Sequence, residues 1–151
     1  MTEPAYQGFT ESEIPVEQRD NGALVRVITG QTDEGAVGPV VNNFVKPTYL
    51  DITLPAGVVF QQSLDYSDNA FIFVIEGEVK VGEQVRSLGK RRLGILSSGE
   101  RVAITTGRRD SHFLLVAGQP LNEPVARGGP FVMNTRQEVL QAFDDFRNNR
   151  F

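Results

Sequence analysis

The sequence predicts an all-β domain, a sandwich or barrel of short strands, followed by one C-terminal amphipathic α-helix. Three observations carry this expectation. Apolar residues alternate with polar ones in short segments spaced roughly ten residues apart. The 15 glycines and 8 prolines supply frequent turns between those segments. After residue 134 the apolar period changes from two to that of a helix.

Leu24, Val25, Arg26, Val27 and Ile28 follow an Asp20-Asn21-Gly22 turn signal and read as the first strand. In residues 49–54, Leu50, Ile52 and Leu54 share one face while Tyr49, Asp51 and Thr53 share the other, the pattern of a half-buried strand. Pro55-Ala56-Gly57 ends it, and Val58 to Phe60 begins another. Residues 70–75 form a continuous apolar run, rich in aromatic and β-branched side chains, which suits a strand buried on both sides. Glu76 and Gly77 then turn into residues 78–81. Residues 93–96, 101–105 and 112–117 complete the strands. Thr135 and Glu138 stand in capping-box spacing, so that each can satisfy a free backbone N–H of a helix start. Val139, Leu140, Phe143 and Phe146 recur at helical spacing over residues 136–148.

With 151 residues the chain is one domain by size, able to bury a core without staples. It has no cysteine, which excludes disulfides, thiolate metal sites and a thiol nucleophile. The first residues lack the basic and apolar regions of a leader, and no apolar run approaches a membrane span. The expected location is therefore cytoplasmic, with no membrane partner. A formal charge of −4 disfavours nucleic acid as a partner; Lys90-Arg91-Arg92 is read as a solvated turn. His112, the one histidine of the chain, lacks a signalled orienting partner and is read as a surface or strand-edge residue rather than a base. Ser97-Ser98 sits in no nucleophile motif. Phe60, Phe71, Phe73 and Phe113 are core candidates, with pocket lining alongside His112 as the alternative.

Several stretches together resemble the C-terminal half of the pirin family. The strongest runs from Pro120-Leu121-Asn122-Glu123-Pro124 through Gly129-Pro130-Phe131-Val132-Met133-Asn134-Thr135 to the helix ending at Phe146-Arg147. Glu13-Ile14-Pro15, the segment from Val25 to Gly30, and the segment from Phe71 to Glu78 match in order. The resemblance implies a cupin-type double-stranded β-helix, or jelly-roll barrel. It implies a linker-like segment over 1–20, the barrel over 21–134, and the helix and tail over 135–151. Met1 to Pro4 resembles the interior of a longer family member, which implies a short form or a split gene. Glycine in Arg127-Gly128-Gly129, where the family often has an aromatic residue, implies a looser segment. The Asn122-Glu123 pair, between two prolines, implies a structural role in its loop.

In the family the N-terminal barrel holds the iron through histidines and a glutamate. Aligned by Gly57 and Gly77, the corresponding positions here become Ser63, Asp65, Ala70 and Val102. The resemblance thus implies no metal, no cofactor and no catalysis of its own. The function it implies is a non-catalytic domain acting through protein–protein contact or metal-free small-molecule binding. The implied partner is a second copy in a homodimer, or a separate pirin N-terminal half. Val139, Leu140, Phe143 and Phe146 are the expected interface. The alternative is a subunit of a split pirin with quercetin 2,3-dioxygenase-type activity, its metal barrel supplied by another chain.

Overall fold

The computed structural model describes residues 6–42, 44–82 and 86–150, Arg86 by its backbone alone. The linker-like segment before residue 6 lies outside the described residues. The expected strands and helix follow in order, with four further short strands among them: β1 (Val16–Gln18), β2 (Leu24–Thr29), β3 (Thr48–Leu54), β4 (Val59–Ser63), β5 (Asn69–Glu76), β6 (Glu78–Val81), β7 (Arg86–Gly89), β8 (Leu93–Ile95), β9 (Arg101–Thr106), β10 (Ser111–Gly118), β11 (Ala126–Gly128), β12 (Phe131–Met133) and α1 (Arg136–Arg147). The sequence did not signal those four, β1, β7, β11 and β12.

The first compact unit, Met1–Pro120, holds two sheets. One has the order β1-β2-β3-β10-β5-β8 and the other β4-β9-β6-β7, with antiparallel pairing between neighbours. From β3 to β6, and again from β7 to β10, the chain changes sheet at every connection. This winding is the double-stranded β-helix that the sequence implied. Alternation along each strand turns one face inward. Val25 and Val27, Leu50, Ile52 and Leu54, Ile72 and Val74, Ile104, and Phe113 and Leu115 are all fully buried. Each such side chain contributes about 1.5–3 kcal/mol on leaving water. Gly77 joins β5 to β6 with φ +80°, and a Cβ there would lie 2.5 Å from Ser111 Oγ. The turn therefore admits only glycine without backbone movement.

Two boundaries differ from those expected of the sequence. β1 belongs to the first sheet, pairing with β2 at Val16↔Arg26, so the barrel begins before residue 21. Three residues were too short to show a period. The second unit, Leu121–Phe151, starts before the helix because β11 and β12 form a hairpin beneath it.

In that second unit, Thr135 Oγ1 accepts from Glu138 N at 3.2 Å, and a Glu138 carboxylate oxygen accepts from Thr135 N at 2.8 Å. The Thr135 hydroxyl, and then its amide, hold the Glu138 carboxyl below its ordinary range. Asn134 Nδ2 donates to the Glu123 carboxylate and to the Pro124 carbonyl, each at 2.9 Å, so the two most recognisable motifs clamp one another. Gly128 tightens the segment rather than loosening it. A Cβ at this position would lie 2.6 Å from Val139 Cγ1, so the missing side chain lets α1 sit directly on β11. Gly128→Leu should therefore lift the helix, costing about 1–3 kcal/mol of local stability. Hydrogen exchange should show protection lost across α1 and kept in β5 and β10. Unchanged protection in α1 would contradict this seat.

Candidate functional site

A metal inside the sandwich would need donors on inward-facing strand positions. Along β4 the alternation buries Phe60 and Gln62 and exposes Gln61 and Ser63. Leu64, next in the inward series, packs against the core. The alignment by glycines was therefore one residue out of register here. Gln62 and Leu64 turn to the interior, whereas Ser63 faces outward because of the period-two pleat, and Asp65, past the end of β4, is exposed. Ser63 Oγ donates to Asp33 at 3.2 Å. The Asp65 carboxylate accepts from the Ser67 hydroxyl at 2.6 Å and amide at 2.8 Å, which hold its carboxyl below the ordinary range. Ala70 and Val102 do point inward and are buried, but neither has a donor atom. The Gln62 amide is committed to Gln31 O and Asp33 Oδ1. Among the described residues no three His, Asp or Glu side chains converge. This donor set does not fit iron, which requires imidazole nitrogen and carboxylate together.

A polar network missed by sequence reasoning stands beside Gln62. Arg19, 8% exposed, ion-pairs through Nε with Glu17 at 2.7 Å and donates from Nη1 to Gln61 O at 2.8 Å. Its guanidinium lies 4.5 Å from the Phe60 ring centroid. Glu17 also accepts from the Thr32 hydroxyl. Arg19 and Glu17 are near in sequence, yet nothing in their spacing shows that both are buried. The network serves the N-terminal arm of the barrel, where all its members find partners.

The aromatic candidates separate by strand face. Phe60 and Phe113 are fully buried and meet edge to face, 6.3 Å between centroids. Phe71 and Phe73 are only half-buried and face the outside of the first sheet, because Ile72 and Val74 take the interior. None of these four lines the interior pocket described below. His112 is on β10, flanked in the sheet by β3 and β5, rather than at an edge. Its Nε2 lies 2.7 Å from Asp51 Oδ1, with the side chains 34% and 28% exposed. Asp51 was invisible as a partner because β3 and β10 are far apart in sequence. The pair can orient the imidazole, but its registered neighbours Thr53 and Glu76 form no nucleophile–base arrangement with it.

The outer face of this sheet is apolar over two adjacent rows. Tyr49, Val116, Phe71 and Ile95 stand opposite one another across β3, β10, β5 and β8, and Asp51, Leu114, Phe73 and Leu93 form the next row. Seven of these eight are apolar, and Asp51 is held by His112. Ile95 is 83% exposed and Leu93 52%. On α1 the four expected interface residues divide. Val139 and Phe143 pack on the hairpin, Phe143 meeting Phe131 at 5.0 Å. Leu140 and Phe146 remain 61% and 65% exposed, Phe146 with Phe131 at 6.1 Å.

Between the sheets, a pocket of about 140 Å³ opens where Leu64, Ala70, Val81, Leu96 and Val102 meet. Asp65, Asp68 and Arg101 stand at its rim. Burial, and then the neighbouring Asp65, push the Asp68 carboxyl above its ordinary range. Among the described residues no helix is long and apolar enough to cross a membrane.

Comparison with known proteins places this geometry. Residues 49–151 match the family model described as the pirin C-terminal cupin domain. A pirin-like protein of Caulobacter vibrioides is 43% identical over 100% of this chain and 54% of its own length. Human pirin is 38% identical over 98% of this chain and 51% of its own. A crystal structure of quercetin 2,3-dioxygenase from Acinetobacter baumannii superposes with a TM-score of 0.88 at 32% identity, covering 97% of this chain and 50% of that one. The chain thus spans about half the length of the curated relatives it matches.

Proposed function

Because the chain belongs to the pirin family, which it enters through the C-terminal cupin domain, we propose that it is a non-catalytic cupin that works by docking a second cupin barrel. The observation that carries this reading is the outer face of the first sheet. Phe71, Phe73, Leu93, Ile95, Leu114, Val116 and Tyr49 form one contiguous apolar surface. Faces of this kind mark interaction sites. The interior supports the same reading, since Leu64, Ala70 and Val102 offer no donor where the fold family holds its metal. The proposed occupant is a second copy of the chain, which recreates a two-barrel pair with closed two-fold symmetry. Light scattering should give a dimer mass at micromolar concentration, and Ile95→Asp should weaken the dimer roughly tenfold or more. Both Ile95 and Leu93 are exposed, so at concentrations where the chain is monomeric the variant should keep the wild-type melting temperature. A strict monomer at high concentration would remove the homodimer.

A second reading has its own support, because the chain covers only half of the relatives' length. The same face would then receive a separate barrel that brings the metal, and dioxygenase activity would belong to the pair. Co-purification of this chain with such a barrel distinguishes the two. Near-stoichiometric iron with quercetin turnover by this chain alone would overturn both.

A further inference from the structure

We propose that the pocket between the sheets, lined by Ala70 and Val102, binds a small aliphatic molecule carrying one primary amine. The inference is independent of the docking face, which lies on the other side of the first sheet. Leu64, Ala70, Val81, Leu96 and Val102 give the pocket its aliphatic lining, Ser97 and Ser98 line it as well, and no aromatic side chain does. It is an open pocket of about 140 Å³, similar in volume to an enclosed engineered apolar cavity of about 150 Å³ that takes up a benzene-sized guest. An aliphatic chain of about six carbons is therefore of suitable size, and its burial removes apolar surface from water on both sides.

The head group is chosen by the rim. Two carboxylates, Asp65 and Asp68, and one guanidinium, Arg101, line the same pocket. Asp65 is already bonded to the Ser67 hydroxyl and amide. Arg101 is exposed to water. Asp68 is half-buried, and among the described residues no hydrogen bond or ion pair reaches its carboxylate. A partly desolvated anion beside a like charge is unfavourable unless a cation reaches it. An ammonium supplies both the charge and the donors that Asp68 lacks, whereas a carboxylate head would meet two like charges against the single guanidinium of Arg101. The pocket thus selects for the opposite charge to a metal-chelating acid.

The test is a titration of the ¹⁵N-labelled full chain with n-hexylamine, with hexanoate and hexanol in parallel. Saturable shifts are expected at the amides of Ala70, Leu96 and Val102, with the amine binding roughly tenfold more tightly than the carboxylate. Asp68→Asn should bring the amine down to the affinity of the alcohol while leaving the fold intact. Ala70→Leu should block all three by filling the pocket. The proposal is overturned if no probe saturates, if hexanoate binds as well as hexylamine, or if Asp68→Asn leaves the amine unaffected. Should Ala70→Leu fail to fold, Asp68→Asn decides alone.

Discussion

Arg19→Met is expected to lower stability by about 3–5 kcal/mol, because it leaves a buried carboxylate without its cation. Glu17 and Arg19 have side chains each 8% exposed and lie 2.7 Å apart. Once the guanidinium is gone, the Thr32 hydroxyl is the remaining donor to Glu17. The Glu17 side chain is only 8% exposed, so water makes up little of the lost interaction. Methionine keeps part of the packing over Phe60, so the loss reports charge rather than volume. The pair of substitutions Glu17→Gln and Arg19→Met should restore most of it, since a buried ion pair replaced by neutral groups is often close to neutral. Urea denaturation of the three variants checks both parts, and the single variant should melt about 10 °C below wild type. A fall of under about 2 °C, or a double variant no better than the single, would show that the network is solvated rather than buried.

Phe113→Ala should cost a comparable amount, about 3–5 kcal/mol, while Phe71→Ala should cost under about 1 kcal/mol in the monomer. Phe113 is fully buried on the strand between β3 and β5 and packs edge to face on Phe60. Removing its ring leaves a cavity that two flanking strands cannot collapse to fill. Phe71 sits on the other face of β5 and is half-buried, so its truncation opens no cavity. Thermal denaturation at low protein concentration separates these two outcomes. Equal losses would mean that the outer face is covered within one chain. At higher concentration Phe71→Ala should instead reduce dimerisation, which ties the stability test to the proposed docking face.

The four phenylalanines show how far sequence patterning reaches. Alternation in residues 70–75 places Phe71 and Phe73 on one face and Ile72 and Val74 on the other, and the structure keeps that division. Which face is interior was not decided by alternation, because both sides of the run are apolar. The partner strands decided it: β10 and β3 bring Phe113, Leu115, Leu50 and Ile52 to the side of Ile72 and Val74. The register of β4 was a similar case. Gly57 and Gly77 are readable as turns, but the chain between them can be shifted by one residue without losing its pattern, and that shift exchanges Ser63 for Gln62.

The all-β class, the order of the longer strands, the Thr135–Glu138 cap and the family are legible in the residues alone. These rest on local signals: period, turn residues, capping spacing and a long specific motif. The residues also determine that imidazole is lacking from the strands where metal ligands would stand, because composition alone limits the donors. The remaining features came from the fold. It showed that Asp51 orients His112, that Arg19 and Glu17 are buried, that Gly128 seats the helix, and that Asp68, with no side-chain partner among the described residues, lines the same pocket as Ala70 and Val102. Each of these depends on segments distant in sequence meeting across strands or against a helix, or on the burial that follows from such meetings. No period or spacing within a single segment encodes such a meeting.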